Sequence, residues 1–407
     1  MNLKSINQNE SFLLHINHAS LLIKSGENYV LTDPWFISPA FASWVQNPSP
    51  PEELIEFICN IEPECLAILV SHGHDDHTDD FFLKTHLYKS AIYFSKFRSP
   101  GLENRMKRVF LKDPVAIDSK PVVWNDFTFS AAINAEFTNN DAINIIRTNN
   151  FVAIHANDNW HKQPNEVLDY IRNVKSEFEA LPFYYFSQIG IADCFPSTYS
   201  GYSDKDKQEI TSSRLDSVID AAAYNSEALG IVNLYSYANQ SWIDNSQEKL
   251  GIDNYKLTQN HIDNSKCKNL KIDQLNPGDY FLPDQEAYEK KQLDLQGESI
   301  FEVTLKRFES ATNAFLKNTN INGVVKFAEI SKSETPFSAD VMYVTSRYNW
   351  QVMMTGAINL EAITIGGIGY IHKLNNQESI RDIHNGISKF AYIAQKNFIA
   401  SGFQWFK

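Results

Sequence analysis

The sequence predicts a layered α/β protein that places its chemistry where its strands end. Residues 65–70 (CLAILV) form a continuous apolar run, as expected for a strand covered on both faces. Residues 151–154 form a second, shorter run of this kind. Apolar residues recur at helical spacing in residues 52–58, directly after a proline, and in residues 164–179, which begin with one, so both segments predict helices. Strands that alternate with helices indicate stacked layers of sheet and helix.

Shorter elements of the amino-terminal part follow the same pattern. Residues 20–24 and 29–32 are apolar runs separated by the turn-forming segment SGEN, which predicts a hairpin. Asp79 and Asp80 are expected to open a helix, because carboxylates stabilise the N–H groups of a first helical turn.

A polar, asparagine-rich stretch suggests how the chain is divided. Residues 201–207 predict a turn and residues 209–225 an amphipathic helix, but residues 244–277 have weak periodicity and predict a loop or a domain border. We therefore predict a catalytic domain over residues 1–275. Residues 276–407 are expected to form a C-terminal α+β extension that carries no obvious chemistry.

Composition excludes several classes of function. The chain has 407 residues, of which 43% are hydrophobic, so it can bury a sizeable core. A net charge of −13 argues against a nucleic-acid partner. The four cysteines contain no C-x-x-C pair, which argues against an iron–sulfur cluster. The glycines of residues 366–369 do not fit a dinucleotide fingerprint, so NAD is not expected. With no signal peptide or membrane span predicted, we expect a cytoplasmic protein.

The strongest chemical signal is the segment SHGHDDH at residues 71–77, directly after the apolar run of residues 65–70. His72 and His74 alternate by two, so both side chains can face one ion from an extended loop. Asp76 and His77 follow in the turn and can face a second ion. Three imidazoles and a carboxylate suit zinc or iron(II) and suit calcium or magnesium poorly.

Two further strands are expected to end beside this cluster. Residues 29–32 lead into Asp33, and residues 151–154 lead into His155 and Asp158. Open α/β sheets bind ligands at the carboxyl ends of their strands, so these side chains are expected to share one site. His155 is either a metal ligand or a structural histidine of its strand. His18, at a strand start, is either a catalytic residue or a core histidine.

The pattern H-x-H-x-D-H after an apolar strand resembles the signature of the metallo-β-lactamase fold. That resemblance implies a metallo-β-lactamase-like αββα sandwich with one or two metal ions. Residues 17–23 and 31–34 resemble the lactonase- and phospholipase-D-like branch of the superfamily. Residues 31–36, with residues 39–42 and 195–201, resemble the catalytic part of the CMP-N-acetylneuraminate hydroxylases, without their Rieske domain.

The resemblance also implies roles for individual residues. Asp158 matches the metal-bridging aspartate of the family, and Asp33 matches an aspartate that hydrogen-bonds a ligand histidine. Two further family histidines are missing, since no histidine lies between His86 and His155 and none lies in residues 235–239. His155 is the expected substitute, and His161 and His261 are further candidates.

Two functions are therefore expected. One is a diiron oxygenase or hydroxylase that acts on a small molecule and takes electrons from a partner protein or from its substrate. The alternative is a zinc- or manganese-dependent hydrolase of the lactonase or phosphodiesterase type. In either, the expected metal ligands are His72, His74, Asp76, His77, His155 and Asp158, and the expected catalytic residues are Asp76, Asp158 and His18. Aromatic residues that could line a substrate pocket are Trp35, Trp160, Tyr199, Tyr235 and Tyr237.

Overall fold

The structure is a computed structural model in which two mixed sheets stack face to face between outer layers of helices. It describes residues 2–41, 43–133, 142–191, 195–196, 199–239, 241–243, 254–264, 270–285, 287–321, 324–329, 339–360, 362, 369–373 and 380–400.

The first sheet has eight strands within the described residues. The order across the sheet is β17 (Lys291–Gln292), β16 (Asp279–Phe281), β1 (Ser11–Asn17), β2 (Ser20–Ser25), β3 (Asn28–Thr32), β5 (Leu66–Val70), β6 (Ala91–Ser95) and β7 (Val115–Ile117). The strands β1, β2 and β3 form an antiparallel meander, and β3, β5, β6 and β7 are parallel to one another.

The second sheet has seven strands within the described residues. Its order is β15 (Lys271–Gln274), β13 (Asn233–Tyr237), β12 (Phe183–Gln188), β11 (Val152–Asn157), β10 (Ala142–Arg147), β9 (Phe127–Ile133) and β8 (Val122–Trp124). The four strands β11, β12, β13 and β15 are parallel to one another. A separate ribbon pairs β4 (Trp44–Gln46) with β14 (Ser241–Ile243).

Each sheet buries both of its faces. Side chains such as Leu21, Leu69, Phe129 and Tyr235 fill the space between the two sheets. Because alternate residues of a strand point to opposite faces, strands buried on both sides are apolar throughout, as the LAILV sequence of β5 shows. The predicted hairpin of β2 and β3 and the predicted strand β5 are confirmed.

Helices cover the outer faces and complete the αββα order, which confirms the predicted fold class. Helices α2 and α4 pack on the first sheet, and α5 and α6 pack on the second. The helices of this part are α1 (Leu3–Ile6), α2 (Glu52–Cys59), α3 (Asp80–Phe82, continued by a π-helical turn over Leu83–Leu87), α4 (Gly101–Val109), α5 (Asn165–Glu177), α6 (Asp204–Leu229) and α7 (Asn254–Asn264).

Helix α6 begins earlier than the sequence pattern predicts. The side chain of Ser203 accepts a hydrogen bond from the backbone N–H of Asp206, and the Asp206 carboxylate accepts one from the backbone N–H of Ser203. This capping box draws the polar residues from Asp204 onward into the helix, although they were predicted to form a turn.

The C-terminal part has its own core around Phe308, Tyr343 and Trp350. Two strands of the first sheet, β16 and β17, lie beyond residue 275, so the sandwich continues past the predicted domain boundary. No described helix combines the length and hydropathy needed to cross a bilayer. The C-terminal elements are α8 (Ile300–Asn318), β18 (Val325–Glu329), β19 (Val341–Thr345), α9 (Arg347–Met354), β20 (Gly369–Lys373), α10 (Ile380–Lys389, followed by a π-helical turn over Phe390–Ala394) and α11 (Gln395–Ala400).

Candidate metal centre

Ligand-type side chains from four chain segments meet at one edge of the sandwich. The first sheet contributes the turn after β1, the residue after β3 and the loop after β5, because these three strands end at the same edge. The second sheet contributes the residues around the end of β11. A contact of 2.8 Å between His155 Nε2 and Asp33 Oδ2 joins the two sheets at this edge.

The first group of potential ligands consists of His72, His74 and Asp158, with ligand atoms that lie within 4.8 Å of one another. His72 Nε2 lies 2.8 Å from His74 Nδ1 and 3.5 Å from Asp158 Oδ2. His74 Nδ1 lies 3.9 Å from the same carboxylate oxygen. The three atoms thus converge on one point, as the sequence spacing predicts for His72 and His74.

The second group consists of His18, Asp76 and His77, again within 4.8 Å of one another. His18 Nε2 lies 3.3 Å from Asp76 Oδ2, and His77 Nε2 lies 3.6 Å from that oxygen. The turn between β1 and β2 delivers His18, so a residue predicted to be catalytic or structural stands among potential ligands.

Asp158 is a member of the first group and also faces the second. Its Oδ2 faces His72, and its Oδ1 lies 3.3 Å from His77 Nε2 in the second group. A carboxylate with one oxygen toward each group can bridge two ions. This position matches the bridging role that the sequence resemblance implies.

The donor atoms fit a pair of metal ions. Four imidazoles and two carboxylates form a borderline donor set, which suits zinc, iron(II) or manganese better than calcium or magnesium. Buried polar atoms normally have hydrogen-bond partners, and those without one need an explanation such as an ion. Two of the atoms that face the site have no such partner, His77 Nε2 and Asp158 Oδ1.

The electrostatics of the second group also favour a cation. Burial disfavours the protonated form of His77, but the carboxylates of Asp158, Asp76 and Asp33 raise its pKa well above the usual range. Burial raises the pKa of Asp158, yet His77 and its other histidine neighbours lower it well below the usual range. The cluster therefore stabilises positive charge between its carboxylates, which is the condition for binding a divalent ion.

Asp33 lies behind the ligands and fixes the orientation of His77. Its Oδ2 lies 3.1 Å from His77 Nδ1, while Ser71 donates to Oδ1 from its backbone N–H at 2.8 Å and to Oδ2 from its hydroxyl at 2.6 Å. Burial raises the pKa of the Asp33 carboxyl, but His155 and His77 overcome this and lower it well below its usual range. The ionised carboxylate holds the proton of His77 on Nδ1 and leaves Nε2 facing the site.

His155 was predicted to be a ligand, and the structure places it in neither group. Its Nε2 lies 2.8 Å from Asp33 Oδ2, and its Nδ1 lies 2.6 Å from the hydroxyl of Tyr237. Since the backbone N–H of Asn157 donates to that hydroxyl at 3.0 Å, the Tyr237 O–H is free to donate to His155. Both ring nitrogens are therefore occupied, and His155 supports Asp33 from behind.

Asn157 orients the imidazole of His72. Its side-chain amide lies 2.8 Å from His72 Nδ1, and Ser71 Oγ lies 3.1 Å from the same atom. These contacts set the ring so that Nε2 points toward Asp158. Burial lowers the pKa of His72 to about 4, which keeps the ring neutral and able to bind a metal ion.

Several residues around the centre have a left-handed backbone. His18, Asp33, Phe41 and Asn157 have φ angles of 47°, 38°, 48° and 56°. For non-glycine residues this conformation costs about 1–3 kcal/mol each, and such residues cluster at functional sites. The turns carrying these side chains are thus held in place by the rest of the fold.

Two sets of contacts that sequence reasoning missed hold the loops around the centre. Arg105 on α4 donates to the backbone oxygens of Gly73 at 2.8 Å and Thr78 at 3.1 Å, so it holds the loop that carries four potential ligands. Asp79 accepts from the backbone N–H groups of Ile37 at 2.7 Å and Ser38 at 2.8 Å. Asp79 also caps α3, as predicted. Neither long-range contact leaves a pattern in the sequence.

The predicted pocket aromatics separate into three sets. Tyr235 and Tyr237 are buried in the core between the sheets, because both lie on the inner face of β13, and so do not line a pocket. Trp35 is also buried, with its ring centroid 5.1 Å from that of His18. Trp160 and Tyr199 are 40% and 49% exposed. Trp160 is close in sequence to the potential ligand Asp158, whereas Tyr199 is far in sequence from every potential ligand. His161 and His261 belong to neither group.

Comparisons with known proteins found short sequence matches. No family model matches the chain. It is 33% identical over 95 residues to a Mycobacterium tuberculosis protein named as a Rieske 2Fe-2S iron-sulfur protein, a match that covers 23% of this chain and 18% of that protein. It is 35% identical over 66 residues to the cytidine monophosphate-N-acetylneuraminic acid hydroxylase of Cricetulus griseus, which covers 16% of this chain and 11% of that enzyme. The matches thus span under a fifth of either relative.

Solved structures similar to the chain include proteins of the metallo-β-lactamase fold. CmlA, a diiron β-hydroxylase from Streptomyces venezuelae, has 16% identity and a TM-score of 0.42, with 70% of this chain and 54% of that chain covered. The metallo-β-lactamase fold protein YhfI from Bacillus subtilis has 10% identity and a TM-score of 0.38, with 67% and 99% covered. An isothiocyanate hydrolase from Delia radicum gut bacteria has 10% identity and a TM-score of 0.40, with 66% and 98% covered.

Proposed function

We propose that the chain is a metal-dependent enzyme whose centre holds two ions. The observation that carries this proposal is the position of Asp158, with one carboxylate oxygen toward each of two groups of buried donors. One ion would be held by His72, His74 and Asp158. The other would be held by His18, Asp76, His77 and the second oxygen of Asp158.

We further propose that the reaction is the hydroxylation of a small molecule by dioxygen. The support is the local sequence likeness to a hydroxylase, together with a donor set in which His18 joins Asp76 and His77. Two bound iron ions would supply the activation of dioxygen. One oxygen atom would enter a C–H bond of the substrate, and the other would leave as water after uptake of two electrons and two protons.

The protein's own residues prepare the site for this reaction. Asp33 and Asn157 fix the imidazoles of His77 and His72, so these two ligands need not reorient when the ions bind. The ring of Trp35 packs against His18 and would keep water from the buried side of the centre. The electrons would come from a carrier protein or from the substrate.

Hydrolysis is the second candidate, and one observation favours it. The side chains of His74 and Asp158 are 51% and 14% exposed, so water reaches the first group directly. A metal ion lowers the pKa of its bound water, and the carboxylates of Asp158 or Asp76 would then orient the hydroxide toward a lactone or phosphodiester.

Metal analysis combined with two assays separates these functions. The protein is purified without chelators, its iron, zinc and manganese are measured per chain, and oxygen consumption with a chemical reductant is compared with hydrolysis of lactones and phosphodiesters. About two irons per chain and oxygen uptake support the hydroxylase, whereas zinc or manganese with hydrolysis supports the second candidate. A His72→Ala variant should lose one of the two ions and the activity, and a His261→Ala variant should keep both ions and the activity. A wild-type chain that binds no transition metal would refute both functions.

A further inference from the structure

Among the described donors of the centre, two have side chains that reach solvent. The side chain of His74 is 51% exposed and that of Asp158 is 14% exposed. Those of His18, His72, Asp76 and His77 are at most 3% exposed. A ligand that reaches the ions therefore approaches from the side of His74 and Asp158.

Phe41 stands at this opening. Its ring centroid lies 5.5 Å from that of His74, with the ring planes at 74°, and 5.2 Å from that of Trp44. Phe41 remains 41% exposed, so the core gains little from it, and its φ of 48° is unfavourable for a bulky residue. A strained, exposed aromatic residue beside a potential ligand points to a binding role.

The turn that carries Phe41 is anchored at both ends. Ala40 and Trp44 bridge its base, and β4 pairs with β14 on one side. On the other side the C-terminal part holds Gln46: Arg347 donates to its backbone oxygen at 3.0 Å, and Gln351 donates to its side-chain oxygen at 2.8 Å. The ring of Phe41 is thus presented from a fixed support, as a recognition surface requires.

We propose that Phe41 is a specificity-determining residue that selects small anions in which a flat apolar ring lies next to the charged group. The proposal rests on the proposed metal centre. Two divalent ions carry more positive charge than the carboxylates of Asp76 and Asp158 neutralise, so the loaded centre attracts an anionic oxygen group. The exposed ring of Phe41 beside His74 then packs against the body of that ligand. In this arrangement the C-terminal part supports substrate selection through Gln46.

Binding of simple carboxylates tests the proposal without any assay of activity. The affinities of benzoate and acetate for the zinc-loaded protein are measured by calorimetry in the wild type and in Phe41→Ala. We expect benzoate to bind the wild type about three- to tenfold more tightly than acetate, because ring contacts contribute on that scale. Phe41→Ala should remove this preference and leave acetate affinity and zinc content unchanged.

An exposed leucine provides the control variant. Leu111 is 74% exposed in another part of the surface, so Leu111→Ala should keep the preference for benzoate. Zinc uptake with equal affinities for the two carboxylates in the wild type, or a preference that survives Phe41→Ala, would overturn the role of Phe41 alone. Failure of the wild type to take up zinc would instead refute the metal centre on which the role rests.

Discussion

Asp33 and His77 form a buried carboxylate–imidazole pair, with 3.1 Å between Asp33 Oδ2 and His77 Nδ1. The pair sets the direction of a potential metal ligand from the side that faces away from the ions. Asp33 also accepts two hydrogen bonds from Ser71, which begins the ligand loop, and contacts His155 of the opposite sheet. One carboxylate thus ties the ligand loop to both sheets.

Asp33→Asn should weaken metal binding by about 10- to 100-fold, the range usual for partners that orient ligand histidines. The amide keeps the size of the side chain but loses the charge that holds the proton on Nδ1 of His77. Zinc affinity is measured by competition with a chromogenic chelator. Asp169→Asn, which removes an exposed carboxylate paired with Arg172, is the matched control and should bind zinc like the wild type. Unchanged affinity in Asp33→Asn would show that the pair does not orient His77.

His18→Ala should weaken one of two bound ions and spare the other. The second group would keep only Asp76, His77 and one oxygen of Asp158, while the first group would keep all of its donors. Because loss of a ligand costs more than loss of an orienting partner, we expect the affinity to fall by more than about 100-fold for that ion. Metal titration by calorimetry measures both steps.

In the same titration, His72→Ala should weaken binding of the ion held by the first group, because His72 belongs to that group. If His18→Ala left both steps as in the wild type, His18 would be a core histidine, the alternative that the sequence leaves open.

His155→Ala should destabilise the fold while both ions still bind. The change removes the partner of the Tyr237 hydroxyl and one partner of Asp33, and it opens a cavity in a fully buried place. Unpaired buried polar groups cost about 1–3 kcal/mol each, so the free energy of unfolding should fall by about 2–5 kcal/mol. Urea titration of the metal-free protein measures the loss, and elemental analysis measures the ions. Loss of one ion with unchanged stability would instead restore His155 to the ligand set.

The parts of the molecule that follow from short stretches of sequence could be predicted. The apolar run that became β5 predicts a strand covered on both faces, and the strand order then brings Asp33, His72 and Asp158 to one edge. His72, His74, Asp76 and His77 are close in sequence, so their spacing alone indicates how they divide between two ions.

The remaining features depend on which way single side chains point across long separations. His18 reaches the second group because its turn has a left-handed residue and lies at the edge where β3 and β5 end. His155 lies on the strand that was expected, yet its ring points to Asp33 rather than toward the ions. Tyr235 and Tyr237 occupy alternate positions of a buried strand, and that alternation could have placed them in the core.

The clamp made by Arg105 gives a final prediction. Its guanidinium donates to the backbone oxygens of Gly73 and Thr78, pairs with Asp80 at 2.8 Å and contacts Asp75 at 3.1 Å. These four contacts span the loop from end to end, so Arg105→Gln should free the loop and raise the cost of ordering its ligands when ions bind.

We expect Arg105→Gln to lower zinc affinity by about tenfold and to speed zinc release to a chelator, because an ordered ligand set releases an ion more slowly than a mobile one. Arg108→Gln, an exposed change on the same helix, should have no effect. Hydrogen exchange of the metal-free proteins provides a readout that does not depend on zinc. The amides of the ligand loop should exchange faster in Arg105→Gln than in Arg108→Gln, while those of β5 stay protected. Equal exchange and equal zinc affinity in the two variants would show that the loop keeps its shape without the guanidinium.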